Sequence, residues 1–159
     1  MSEIVTITLT INGRRITRAA GAHLTLLRWV RDEAGVTDPK YGCGEGICGA
    51  CTVLMDGEPV SSCIVLAAQA DGAEITTAAG LLERDGSLGP LQRAFHACHA
   101  AQCGFCTPGM LMSAAALLAD GRTWSPAEIR AGLHGNLCRC TGYGPIVDAV
   151  EAAQRERAQ

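Results

Sequence analysis

Nine cysteines in 159 residues constrain this chain more than any other feature. They stand at positions 43, 48, 51 and 63, then at 98, 103 and 106, and finally at 138 and 140. An odd count is a poor basis for a disulfide framework. Met1-Ser2-Glu3 opens directly into strand-like alternation, with no charged stretch leading into an apolar one, so no export leader is expected. In a reducing compartment such cysteine density points to metal or redox chemistry, and the expected location is the cytoplasm. Composition excludes other classes. Thirteen basic against 16 acidic residues leave a formal charge of −3, with no surplus to neutralise phosphates, so nucleic acid is not an expected partner. No apolar run reaches the length of a membrane span. A hydrophobic content of 48% is enough for a true core.

The hydrophobic period changes along the chain. Ile4 to Leu9 alternates and is rich in β-branched residues, as a half-buried strand requires. Asn12-Gly13 is a hairpin turn, with Arg14 to Thr17 returning. Leu24, Leu27, Trp29 and Val30 lie near helical spacing, with Gly35 as the stop. Cys51 to Met55 and Glu58 to Cys63 form strands around an Asp56-Gly57 turn, and Glu74 to Thr77 forms a last short one. Beyond these, Leu91, Ala94, Phe95 and Cys98 share one helical face. Thr107-Pro108 starts a helix, with Thr107 expected as N-cap, and Gly121 ends it. Ser125 and Glu128 have capping-box spacing, and a last helix begins near Gly144-Pro145. The switch predicts a boundary near residues 78–86, between a small sheet-plus-helix domain and a bundle of about four short helices.

Cys43, Cys48, Cys51 and Cys63 have the spacing of a plant-type [2Fe–2S] site. Two irons need four thiolates converging from one wrapped loop and one anchor. Gly42, Gly44, Gly46 and Gly49 are interleaved with the first three, so the backbone can come close and aim N–H groups at sulfur. The Asp56-Gly57 hairpin brings Cys51 and Cys63 together. Zinc is the alternative, but it favours two short Cys pairs. The loop holds no His, which excludes a Rieske-type centre. Cys103-x2-Cys106 and Cys138-x-Cys140 form a second set, each pair just ahead of a predicted helix. By spacing alone this set fits zinc or iron–sulfur.

Three long stretches carry a resemblance. They are Lys40-Tyr41-Gly42-Cys43-Gly44-Glu45-Gly46-Ile47-Cys48-Gly49-Ala50-Cys51-Thr52-Val53, Gln102-Cys103-Gly104-Phe105-Cys106-Thr107-Pro108-Gly109-Met110, and Gly135-Asn136-Leu137-Cys138-Arg139-Cys140-Thr141-Gly142-Tyr143. With them the chain resembles the small iron–sulfur subunit of the molybdenum hydroxylases, the xanthine dehydrogenase/aldehyde oxidase family, from Ile4 to about Ala152. The resemblance implies an α+β chain. Residues 1–79 would form a plant-type ferredoxin-like β-grasp domain, and residues 80–159 a four-helix-bundle domain. Each would bind one [2Fe–2S] cluster, the first on Cys43, Cys48, Cys51 and Cys63, the second on Cys103, Cys106, Cys138 and Cys140. Gln102 and Cys140 match positions that approach a molybdopterin cofactor on a large partner subunit. Gly44, Glu45 and Gly46 match the side facing FAD on a medium subunit, or another acceptor. The implied role is electron transfer within a heterotrimeric oxidoreductase, with no catalytic residue for substrate on this chain. The molybdenum and acceptor modules would be separate chains, and a folded complex could be exported on a partner's signal.

The remaining candidates have plainer readings. Cys98 has no place among the eight ligands and reads as a buried free thiol. His96 and His99 have no carboxylate in register, so they read as surface or interface histidines. His134 shapes a turn, and Asp71-Gly72 is a turn. Lys40 and Arg139 flank ligands, either as solvated charges or as partial neutralisers. With about −2 for each oxidised cluster and its thiolates, the formal −3 becomes about −7, which favours neutral or mildly basic docking surfaces. The cluster loops are expected to need metal in order to fold.

Overall fold

A computed structural model describes residues 3–157. Met1-Ser2 and Ala158-Gln159, the outer ends of the two expected domains, lie outside the described residues. The fold is α+β, with all strands in the first half and the longer helices in the second.

Strands β1 (Ile4–Ile11) and β2 (Arg14–Gly21) form an antiparallel hairpin. Asn12 and Gly13 turn it with φ of 50° and 79°, the left-handed pair that matches strand twist. β3 (Thr52–Met55) and β4 (Glu58–Ser61) form a second hairpin, turned by Asp56 and Gly57. The short β5 (Glu74–Thr76) joins the two hairpins, parallel to β1 and antiparallel to β3. The sheet order is β2-β1-β5-β3-β4. Asp71 does more than turn the chain. Its carboxylate accepts the Thr8 N–H at 2.7 Å, on the flank of β1 that β5 leaves open.

One sheet face buries Ile7, Leu9, Ile11, Val53 and Ile75 against Leu26, Trp29 and Val30. The helical segment carrying the last three differs from expectation. Leu24 stands outside it, because its carbonyl accepts the Ala67 N–H and its N–H goes to Gly21. Thr25 caps α1 (Leu26–Arg28), which then widens into a π turn over Trp29–Glu33. There the Ala34 N–H reaches back to the Trp29 carbonyl at 3.0 Å.

Helices α2 (Pro90–Ala97), α3 (Thr107–Ala119), α4 (Pro126–Gly132) and α5 (Gly144–Arg157) enclose a second core. Leu91, Phe95, Met110, Met112, Ile129, Leu133, Ile146 and Val150 fill it. Ser125 and Glu128 close the capping box ahead of α4, as expected. Thr107 is not the N-cap of α3. Cys106 is already helical at φ −80°, ψ −17°, and its carbonyl accepts the Met110 N–H, so the helix begins one residue earlier than Thr-Pro chemistry implies.

α3 also packs against β3, and there the two halves meet backbone to backbone. Gly109 is buried, and a Cβ on it would strike the carbonyl of Gly49. Elsewhere a helical Gly→Ala change stabilises by about 1 kcal/mol. Here G109A should do the opposite, by about 1–3 kcal/mol through overpacking. A lower thermal midpoint of the G109A protein checks this, and a raised one would deny the close approach.

Candidate metal centres

The first quartet is held by a loop and a hairpin. Residues 41–50 wrap with Gly44, Gly46 and Gly49 in the left-handed region. Gly42 has no room for a side chain, since a Cβ would sit 2.7 Å from Cys48 Sγ. The N–H groups of Glu45, Cys48 and Ile47 point at Cys43 Sγ from 3.4, 3.4 and 3.3 Å. The Cys43 N–H points at Cys48 Sγ from 3.4 Å. Those three donors pull the Cys43 thiol down to about 6. Cys51 precedes β3 and Cys63 follows β4, and Ser62 Oγ donates to the Cys51 carbonyl at 2.6 Å. Cys51 and Cys63 are buried beside Leu27. Burial, reinforced by the Cys51 thiol, pushes Cys63 up to about 11.

The second quartet joins the entry to α3 with the entry to α5. Cys103 and Cys140 approach sulfur to sulfur at 3.5 Å, and both are exposed. Cys106 and Cys138 form the inner pair. Burial, with Cys138 alongside, pushes Cys106 up to about 12. Burial also works against the Cys138 thiolate, but the Thr141 hydroxyl and backbone N–H groups outweigh it and lower that thiol. The Phe105 N–H lowers Cys103, and the hydrogen bond with Cys103 raises Cys140.

Each quartet is thus two sulfur pairs: Cys43 with Cys48 and Cys51 with Cys63, then Cys103 with Cys140 and Cys106 with Cys138. Two pairs suit a sulfide-bridged iron pair, in which each iron takes two thiolates. A tetrahedral zinc would draw all four to one point. Hydrogen bonds already favour the thiolates of Cys43, Cys103 and Cys138, and a cation among the sulfurs would compensate the charge of the buried Cys63 and Cys106. The donor set fits a [2Fe–2S] core in both places.

The two loops touch. The Leu137 N–H donates to the Cys48 carbonyl at 2.9 Å, one residue before Cys138. Asn136 is buried between the halves. Its amide donates to the Gly49 carbonyl at 3.0 Å, and its side-chain oxygen accepts Ser113 Oγ at 2.6 Å. Composition and spacing gave no hint of this role, since Asn136 reads as one residue of a Gly-rich turn.

Other candidates fall outside the quartets. Gln102, Glu45, Arg139 and His134 are exposed, while Gly44 and Gly46 are half-buried. His96 and His99 are exposed at the end of α2. Cys98 is half-buried against the helical core, not fully enclosed. Lys40 Nζ donates to the Thr37 carbonyl at 3.0 Å and braces the approach to the first loop.

Comparison with known proteins agrees with this geometry. Residues 9–81 match the family described as a 2Fe-2S iron-sulfur cluster binding domain, and residues 77–151 match a [2Fe-2S] binding domain family. Two iron–sulfur modules in one chain define the class. The nicotine 6-hydroxylase small subunit of Paenarthrobacter nicotinovorans is 52% identical, over 94% of this chain and 89% of its own. The xanthine dehydrogenase iron-sulfur-binding subunit of Escherichia coli O157:H7 is 47% identical, over 94% of each. A chain of quinoline 2-oxidoreductase from Pseudomonas putida 86 superposes with a TM-score of 0.93 at 44% identity, covering 99% of this chain and 97% of that one. The protein belongs to the family of small iron–sulfur subunits of the xanthine dehydrogenase-type molybdenum hydroxylases.

The clamp at Asn136 should be measurable. N136A removes the amide that links the Gly49 carbonyl to Ser113; the carbonyl keeps its two donors from Thr52, while the Ser113 hydroxyl loses its acceptor, a loss of about 1–3 kcal/mol. S113A removes one bond and should lower the thermal midpoint less. Equal midpoints for N136A and the unsubstituted protein would rule the clamp out.

Proposed function

We propose that this chain carries electrons singly between a molybdopterin site on a large partner subunit and an acceptor on another, FAD on a medium subunit being the expected one. One observation carries the reading: two cysteine quartets joined by the hydrogen bond from Leu137 N–H to the Cys48 carbonyl. In it, Cys43, Cys48, Cys51 and Cys63 hold a [2Fe–2S] cluster within residues 1–79, and Cys103, Cys106, Cys138 and Cys140 hold one within residues 80–159. When bound, such a cluster supplies reversible one-electron chemistry at iron. The chain's own part is distance, bonding path and electrostatics. Covalent bonds lead from Cys138 Sγ along the backbone to the Leu137 N–H, across 2.9 Å to the Cys48 carbonyl, and on to Cys48 Sγ. The path crosses no side chain other than those of the two cysteines, so motions of surface residues leave it intact.

Exposure supports the partner assignment. Gln102 and Cys103 lie open ahead of α3 and Cys140 lies open ahead of α5, where Gln102 and Cys140 would face the pterin. Glu45 lies open at the first loop, between Gly44 and Gly46, on the proposed flavin side. Tyr41 (54% exposed), Ile47 (62%), Ile64 (60%), Phe105 (48%) and Leu137 (53%) form apolar collars around the loops, which partner surfaces would cover. Among the described residues no helix is long and apolar enough to cross a membrane.

Iron and acid-labile sulfide per chain, with EPR after dithionite reduction, test the reading. The expectation is about four of each and two distinct S = 1/2 signals, as two [2Fe–2S] centres require. Two irons and one signal would overturn it. C140S should slow reduction of the acceptor in the assembled enzyme while the signal of the first cluster persists. Undiminished acceptor reduction would count against the route.

A further inference from the structure

The sulfurs of the two quartets differ in what donates to them. Apart from the thiol contact between Cys43 and Cys48 themselves, the hydrogen bonds that reach these two sulfurs among the described residues come from backbone N–H groups. At Cys138 a side chain takes part: Thr141 Oγ1 lies 3.2 Å from Cys138 Sγ.

The surrounding loop decides which atom donates. Thr141 Oγ1 accepts the Tyr143 N–H at 3.2 Å. A ligated cysteine sulfur carries no proton and can only accept. The hydroxyl proton therefore points at sulfur while its oxygen is engaged from the other side. Tyr143 also closes the loop through its ring, since its phenol oxygen accepts the Cys138 N–H at 2.9 Å. Gly142 and Tyr143 both hold φ of 69°, a conformation that a tyrosine adopts only when its surroundings impose it. Cys138 and Tyr143 both pack against the helical core. The result is a closed ring of three hydrogen bonds, from Cys138 to Tyr143, from Tyr143 to Thr141, and from Thr141 back to Cys138.

We propose that Thr141 sets the reduction potential of the second cluster by donating its hydroxyl proton to Cys138 Sγ. This rests on the two-cluster reading above. Reduction adds one electron and no proton, so the thiolate sulfurs carry more negative charge in the reduced state. A hydroxyl aimed at one of them strengthens as that charge grows. It stabilises the reduced form more than the oxidised one and raises the potential of this cluster alone. Thr141 is a positioning residue. It binds neither iron nor substrate, and its hydroxyl keeps its proton throughout.

Redox titration of the assembled holoenzyme, followed by EPR, tests the proposal. T141V keeps the side-chain shape and removes the donor. Its second-cluster signal should titrate at a lower potential, while the first-cluster signal stays where it was. T141S retains a hydroxyl and should stay near the unsubstituted value. T141A removes the donor without the valine methyl groups and should move in the same direction as T141V, even if T141V loads poorly. An unmoved second signal in T141V or T141A with full iron content would overturn the proposal, as would an equal shift of both signals. Loss of the second cluster from both, with T141S loaded, would make Thr141 a structural brace and overturn the tuning role. Absence of a second signal from the unsubstituted holoenzyme would overturn the two-cluster reading itself, and this inference with it.

Discussion

Everything in this structure that concerns electrons depends on a contact between two backbones. Gly109 lets helix α3 lie directly against the Gly49 carbonyl of the first loop, and Gly49 lets that loop lie against the Gly135 carbonyl and Asn136; a Cβ at either glycine would collide. Asn136 then fastens that contact with its amide, and Ser113 holds the amide in place. Only with this joint closed does the Leu137 N–H reach the Cys48 carbonyl. A joint built from large side chains would hold the halves farther apart. Electron transfer between centres weakens steeply with distance, so small residues here serve function as much as packing.

The thiol chemistry explains why such loops exist at all. A folded chain gains nothing by pushing sulfurs together. Cys63 and Cys106, held at about 11 and about 12 by burial, resist giving up their protons. Cys43, at about 6 among three N–H donors, gives its proton up readily. Each quartet thus mixes thiols that hydrogen bonds incline to ionise, Cys43 in the first and Cys103 and Cys138 in the second, with thiols that burial holds back, Cys63 and Cys106. Such a set is most stable around a cationic core, and burial then excludes water from the bonds that hold it.

Much of this was legible in the sequence, for local reasons. Asn12-Gly13 and Asp56-Gly57 specify their own turns. Ser125 and Glu128 specify their own cap, and the cysteine spacing follows from the reach of one loop. The features that escaped were fixed by distant partners. The π turn at Trp29–Glu33 follows from how that segment docks on the sheet, and helical periodicity does not record it. Asp71 looked like half of a turn because Thr8, its partner, is far away in sequence. Thr107 looked like a cap because Thr-Pro often is one, whereas Cys106 is bent into helical geometry where it joins the second quartet. Asn136 was invisible for the same reason as Asp71, its main partner being Gly49 in the other half.

The division between backbone and side-chain donors has a consequence for how such a chain can vary. At Cys43 the donors are N–H groups fixed by the course of the loop. No single side-chain replacement removes them, and a replacement of Gly44 or Gly46 strains the loop itself, since both have positive φ. Field strength at the first quartet is therefore tied to the fold. At Cys138 a donor rides on a side chain, within a ring whose other two bonds use a backbone N–H and a phenol oxygen from Tyr143. There one replacement removes the donor, and with it the acceptor of the Tyr143 N–H, leaving the bond from the Cys138 N–H to the Tyr143 phenol to hold the loop. In the proposed electron path the second quartet stands nearer the molybdenum site, which is the part that must suit different substrates. A fixed first centre and an adjustable second one would let the same scaffold serve partners of different driving force.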